Sequence, residues 1–408
     1  MASQPVPNLD LDHLPIEVLE QIFFDIADLR SIYHLVVASP TASRVFESWE
    51  VGPKILDHVL ALSVSPNVVD LIRLVSLVRI ATPGHPPATS LEAFVEKYTR
   101  CRDDRDSKLP AAPSLADTLH DQPPRLIRSV LLTVRRISCL TWACLEYYRA
   151  KGSSAIPSHE VGRPLGSDGY INRKPWRQEY FPGKPYKPQP LGMPCWMEEQ
   201  RVMRGFWRLQ LVLELKRATS EERLDWALED GKMEVSPETL FARWTWQEEE
   251  FLTVVDFIDD FQGRSILTKH CHGLPPPPAH YASASNWQYP PAPGIIDNRS
   301  SREEKSKIPP PCWSFYWIRL RGMTTSPIRG CPFWPYRKLG LAIWERDKLE
   351  ALELLPLTTA TRNKGWGDPV FTWRSLLSQE LIDQLVRDME EDFQKNGFVY
   401  GGRGNPDM

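Results

Sequence analysis

The sequence has no apolar run long enough to cross a membrane. A spanning helix needs roughly 20 largely apolar residues, and the strongest candidate, 126–148, is interrupted by Arg128, Arg135 and Arg136. That stretch is therefore expected to be a soluble helix. Residues 1–10 lack both the cationic flank and the apolar core of a secretory signal.

An excess of charge of one sign is missing as well. The 408 residues carry 49 Lys and Arg against 52 Asp and Glu, a formal net charge of -3. Without a basic footprint, neither a nucleic acid nor an anionic membrane is an expected partner. Cysteine is sparse, odd in number at seven and irregularly spaced, which fits a reducing compartment better than a disulfide framework. The expected location is the cytoplasm, the nucleus or both.

Catalytic signatures are absent too. The sequence contains no G-x-S-x-G elbow, no Walker-type loop, no G-x-G-x-x-G after a strand and no H-E-x-x-H. His270, Cys271 and His272 are three potential metal ligands in a row, but adjacent side chains cannot converge on one ion in a helix or strand. No second pair follows at zinc-finger spacing, so a solvated loop is expected there. Cys139 and Cys144 suit a buried helical face. Glu248, Glu249 and Glu250, and the pair Asp259 and Asp260, read as a solvent-facing charge run. No enzyme activity, metal or cofactor is expected, although a triad assembled from distant positions would leave no local signature.

What is abundant is proline, with 38 residues, about twice the number that usage of roughly 5% would give. Tryptophan is also plentiful: there are 15, and all but Trp49 lie at or beyond Trp142. The prolines punctuate a chain of helical patterns. In the first of these, Leu14, Val18, Leu19, Ile22, Phe23 and Ile26 recur at spacings of three and four, with Pro15 suited to a first turn. Asp28 is a candidate cap for a second helix, and Ser39-Pro40 supplies a cap and first-turn proline for a third.

Further patterns run over 54–63, 67–80, 91–98, 125–150, 196–217, 220–228, 245–261, 338–355 and 372–395. No internal repeat and no alternating strand series is found. The expected fold is mainly α: a three-helix N-terminal motif, then an irregular helical body with long Pro- and Trp-rich loops. The expected divisions are 8–50, then short helices and a linker over 51–124, then a body over 125–400 with loops at 152–194 and 264–336.

The ordered run Leu14-Pro15-Ile16-Glu17-Val18-Leu19-Glu20-Gln21-Ile22-Phe23, then Asp28-Leu29-Arg30-Ser31-Ile32 and Leu35-Val36-Val37-Ala38-Ser39, resembles an F-box. The continuation to Phe46, and the later segment Lys338–Leu349, are similar to stretches of the F-box-like proteins of filamentous fungi. The N-terminal resemblance covers roughly one tenth of the chain. It implies three helices that dock on a Skp-type adaptor, and through it on a cullin, with no catalytic role. It also implies that Leu14, Pro15, Ile16, Val18, Leu19, Ile22, Leu29, Leu35 and Val36 pack within the motif or against the adaptor. One departure is the turn Asp25-Ile26-Ala27-Asp28, where the family usually has proline.

From pattern alone, these helices would serve equally as the first layer of a larger core. Further along, Trp176, Trp196, Trp313, Trp317 and Trp334 lie in or beside loops and are the candidate surface for an unknown protein target, since large aromatics dominate interface hot spots. The competing reading is that tryptophans pin irregular loops onto the body. The runs 275–278 and 309–311 suit polyproline II or plain spacers.

Overall fold

The structure, a computed structural model, describes residues 11–99, 112–160, 183–226, 235–241, 245–268, 271, 273–282, 314, 326, 328–355 and 369–396. As expected, the described chain is mainly α. It divides into two compact units, residues 1–145 with 195–309 and residues 146–194 with 310–408. The expected linker, 101–124, falls inside the first unit, and the expected body, 125–400, is shared between the two.

The first unit opens with a single 3-10 turn at Leu11–His13, followed by α1 (Ile16–Asp25), α2 (Leu29–Ala38), α3 (Pro40–Phe46), α4 (Gly52–Ser63) and α5 (Pro66–Arg79). Short helices α6 (Leu91–Phe94) and α7 (Leu115–Thr118) precede the 30-residue α8 (Pro124–Ser153), which at 1.5 Å per residue is about 45 Å long. The chain re-enters this unit at α9 (Trp196–Ser220), followed by α10 (Pro237–Leu240), α11 (Thr245–Gln262) and α12 (Ala279–Ala282).

Several prolines are used at helix starts. Ser39-Pro40, Ser65-Pro66 and Ser236-Pro237 each place serine at the N-cap and proline in the first turn, where the missing N–H leaves no bond unmade. The Ser39 and Ser236 hydroxyls accept from the amides of Ala42 at 3.0 Å and Thr239 at 3.2 Å. Asp57 on α4 joins three elements. It accepts from Arg73 of α5 at 2.8 Å and from the Leu115 amide at the start of α7 at 2.6 Å.

The centre of this unit is α9, which packs against both α5 and α11 and is buried on almost every side. Gly205 permits the close approach to α11: a Cβ there would lie 3.0 Å from both the Glu250 carbonyl oxygen and a Val254 methyl. The sequence reading of 248–250 as a solvent face is corrected at Glu250. That residue is buried while Glu248 is exposed, because consecutive helical residues point about 100° apart. The expected helix 220–228 is also corrected: α9 ends at Ser220, and Glu222 and Asp225 take left-handed backbone conformations.

The second unit holds the two-stranded antiparallel ribbon of β1 (Ser158–Glu160) and β2 (Gly183–Pro185), inside what the sequence presents as a continuous loop, 152–194. It also holds α13 (Trp334–Arg337), α14 (Arg346–Ala351), α15 (Pro369–Ser375) and α16 (Gln379–Asn396). Between α13 and α14 the chain makes turns, so the expected helix 338–355 is confined to 346–351. Gly340, at φ 78°, breaks it.

Tyr336 and Trp373 sit at the core of this unit with ring centres 4.9 Å apart. The Tyr336 hydroxyl donates to the Trp373 carbonyl at 3.1 Å, and the Trp373 indole donates to the Leu354 carbonyl at 2.8 Å.

Candidate functional site

The first three helices bury one face and leave another open. Leu19 and Phe23 of α1, Leu29, Ile32 and Val36 of α2, and Ala42, Val45 and Phe46 of α3 are all buried. They pack with α4, whose Ile55, Leu56, Val59 and Leu60 are fully enclosed. The Phe23 and Phe46 rings meet at 5.9 Å. Burial of each Leu, Ile, Val or Phe among them contributes about 1.5–3 kcal/mol, so this small bundle is sealed by the helix that follows it.

Polar contacts fix how the helices enter and leave. The Asp28 carboxylate caps α2, accepting from the Ser31 amide at 2.8 Å and its hydroxyl at 2.7 Å. The Ser63 hydroxyl donates to the Ala27 carbonyl at 2.9 Å and pins the α1–α2 turn to the end of α4. Asp12 receives the Ser39 hydroxyl at 2.5 Å and the Thr41 amide at 3.2 Å. The Ser39 bond, then the Thr41 amide, hold the Asp12 carboxyl below its ordinary range.

The candidate positions separate by exposure. Leu19, Leu29 and Val36 point into the bundle and hold the motif together. Leu14, Ile22 and Leu35 are half-buried, while Pro15, Ile16 and Val18 are exposed. Ile16 is 56% exposed and Val18 42%. The N-cap Pro15, with Val18, Leu19 and Ile22, falls at spacings of three and four, so helical geometry puts them on one face, of which Leu19 is the buried member. Val37, 60% exposed, and Leu11 add apolar surface at the end of α2 and in the opening turn. Neither is among the residues that the resemblance implies for the adaptor. The signal was the triplet Leu35-Val36-Val37, since three successive apolar residues on one helix cannot all face inward.

The tryptophans proposed for target binding do not form one described group. Trp176, Trp313 and Trp317 lie outside the described residues. Trp196 begins α9, half-buried, and its indole N–H is enclosed without a hydrogen-bond partner among the described residues. Trp334 is 40% exposed in α13, with the Lys338 ammonium 4.7 Å from its ring centre. Trp207, Trp344 and Trp373, by contrast, are fully buried.

Other sequence features fall into place. Cys139 and Cys144 are buried on α8, and burial pushes both thiols up. His270 and His272 lie outside the described residues; Cys271 is half-buried. Among the described residues no group of His, Cys, Asp or Glu is placed to hold a metal, and no helix is long and apolar enough to cross a membrane.

A second feature, illegible in sequence, is the set of charges inside the first unit. Glu198, Glu199, Gln200, Arg201, Arg204 and Arg208 of α9 are all buried. Arg204 makes a forked pair with Glu250 of α11 at 2.6–3.0 Å. Arg208 reaches Gln247, and the Gln200 carbonyl oxygen accepts the Ser65 amide at 2.9 Å. These bonds tie α9 to α5 and α11. No family model matches the chain, and neither a curated protein nor a solved structure is similar to it.

Proposed function

We propose that this protein is a substrate-receptor subunit of a cullin-RING ubiquitin ligase, holding a Skp-type adaptor through its first helices and an unidentified protein target elsewhere. The observation that carries this reading is the apolar surface left open on these helices: Pro15, Ile16, Val18 and Val37 are exposed and Ile22 is half-buried. Leu19 and Phe23 of α1 and Leu29, Ile32 and Val36 of α2 are buried on the same helices. A single exposed apolar residue needs no partner, but several in one short segment favour an interface. All of them fall on the residues that resemble an F-box. In this reading the protein is not itself an enzyme and works in the cytoplasm or nucleus, without nucleic acid or membrane.

A second reading is a helical scaffold with an F-box-like motif that no longer recruits the ligase. It is favoured by the turn at Asp25–Asp28, where family members carry proline and where the Ala27 carbonyl is tied down by Ser63. The two readings separate in a pull-down of purified Skp-type adaptor by the full chain and by an Ile16→Asp, Val18→Asp double variant. Both substitutions are at exposed sites, so the fold is kept. Capture by the wild type and loss in the variant supports the receptor; no capture by the wild type supports the scaffold.

A further inference from the structure

A cavity of about 330 Å³ opens between the C-terminal ends of α5 and α9 and the first turns of α8. Its lining carries three arginines, Arg79, Arg217 and Arg223, and two glutamates, Glu214 and Glu221, which leaves one positive charge over. Arg79 is fully engaged: it reaches Glu214 at 3.1 Å, the Ser129 carbonyl at 3.2 Å and the Thr133 hydroxyl at 2.9 Å. Arg217 and Arg223 are not. Both donate through Nε to the two oxygens of one carboxylate, Glu221, at 2.8 and 2.7 Å. The outer nitrogens of Arg217 and Nη2 of Arg223 make no hydrogen bond among the described residues.

The backbone that presents Arg223 is strained. Glu222 at φ 56° and Asp225 at φ 47° flank it in the left-handed region, where non-glycine residues are uncommon and tend to mark functional geometry. The segment is held there by the Asp225 carboxylate on the Gly84 amide and by the Trp226 indole on the Ala88 carbonyl at 2.8 Å. Arg223 Nη1 also caps the end of α5 on the Val78 carbonyl at 2.9 Å.

We infer that this cavity binds a small monoanionic carboxylate, held by the free outer nitrogens of Arg217 and Arg223 beside the Glu221 carboxylate that bridges their Nε atoms. A planar carboxylate matches the guanidinium fork, and one negative charge neutralises the lining. Glu221 acts as a built-in competitor. The inference is independent of the ligase reading and stands or falls without it.

The test uses the purified full chain with N-acetylalanine as probe and N-acetylalanine amide as its uncharged control, read by thermal melting and titration calorimetry at constant ionic strength. The acid raises the melting temperature and the amide does not. Arg217→Gln, whose side chain is half exposed and bonds Glu221 alone, weakens binding of the acid by about tenfold, the low end for a charged hydrogen bond. Glu221→Gln strengthens it. Acetate assayed alongside separates the sources: tighter binding of N-acetylalanine indicates a peptide C-terminus, and equal binding a free carboxylic acid, both within the proposal. A wild-type response equal for acid and amide, or a response to the acid unchanged in Arg217→Gln, overturns it.

Discussion

The guanidinium of Arg204 and the carboxylate of Glu250 face each other in the interior of the first unit, each no more than 2% exposed, with their closest atoms 2.6 Å apart. Arg201 approaches the same carboxylate to 3.7 Å. Two positive side chains on α9 thus meet one negative side chain on α11, and the pairing fixes the angular setting of the central helix more tightly than apolar contact alone would.

Removing one partner strands the other, so Glu250→Leu is expected to destabilise the protein by about 3–5 kcal/mol. Pairing Arg204→Met with Glu250→Leu removes both charges and restores most of that loss. Chemical denaturation of the two single variants and the double variant measures the coupling. Additive losses across the set would contradict the interaction.

Glu199 gives a pH-dependent counterpart. It is enclosed, neither carboxylate oxygen has a hydrogen-bond partner among the described residues, and burial holds its carboxyl well above the ordinary 4.5. The unfolded chain releases this proton near 4.5 while the folded chain keeps it, so stability falls as pH rises past that point. Glu199→Gln removes the loss. Its melting temperature should match that of the wild type at pH 4 and exceed it increasingly towards pH 8. A gap that is constant with pH, or of opposite sign, contradicts the assignment.

The join between α3 and α4 leaves no room for a side chain. A Cβ on Gly52 would overlap the Phe46 carbonyl oxygen and approach Ile127 at 3.6 Å. Gly52→Ala is therefore expected to cost about 1–3 kcal/mol, the usual range for overpacking. An unchanged denaturation midpoint would show that the backbone there relaxes freely.

The helix starts were legible because they are local. Ser39-Pro40 and Asp28 announce themselves within four residues, and the structure puts a helix N-terminus at each. The surroundings of α9 were not. Its row of Glu, Gln and Arg reads as a wet face until Glu250, Gln247 and Ser65, distant in sequence, are brought against it. The second unit was hidden for the same reason, since Ser158 and Tyr186 find Ser375 and Leu352 only through folding.

At the candidate site, the period of α1 gave one broad apolar face that includes Val18, Leu19, Ile22 and Phe23. It did not say which face α4 would cover. Leu19, which the resemblance implies packs within the motif or against the adaptor, is a core residue, and its replacement tests folding.

The central claim is that the open face of the first helices receives a Skp-type adaptor, and amide hydrogen exchange of the full chain with and without saturating adaptor tests it most directly. New protection is expected to concentrate in residues 11–38, with no such change when Ile16→Asp and Val18→Asp are introduced together. A complex whose protection lies outside those residues, or the absence of any complex with the wild-type chain, would contradict it.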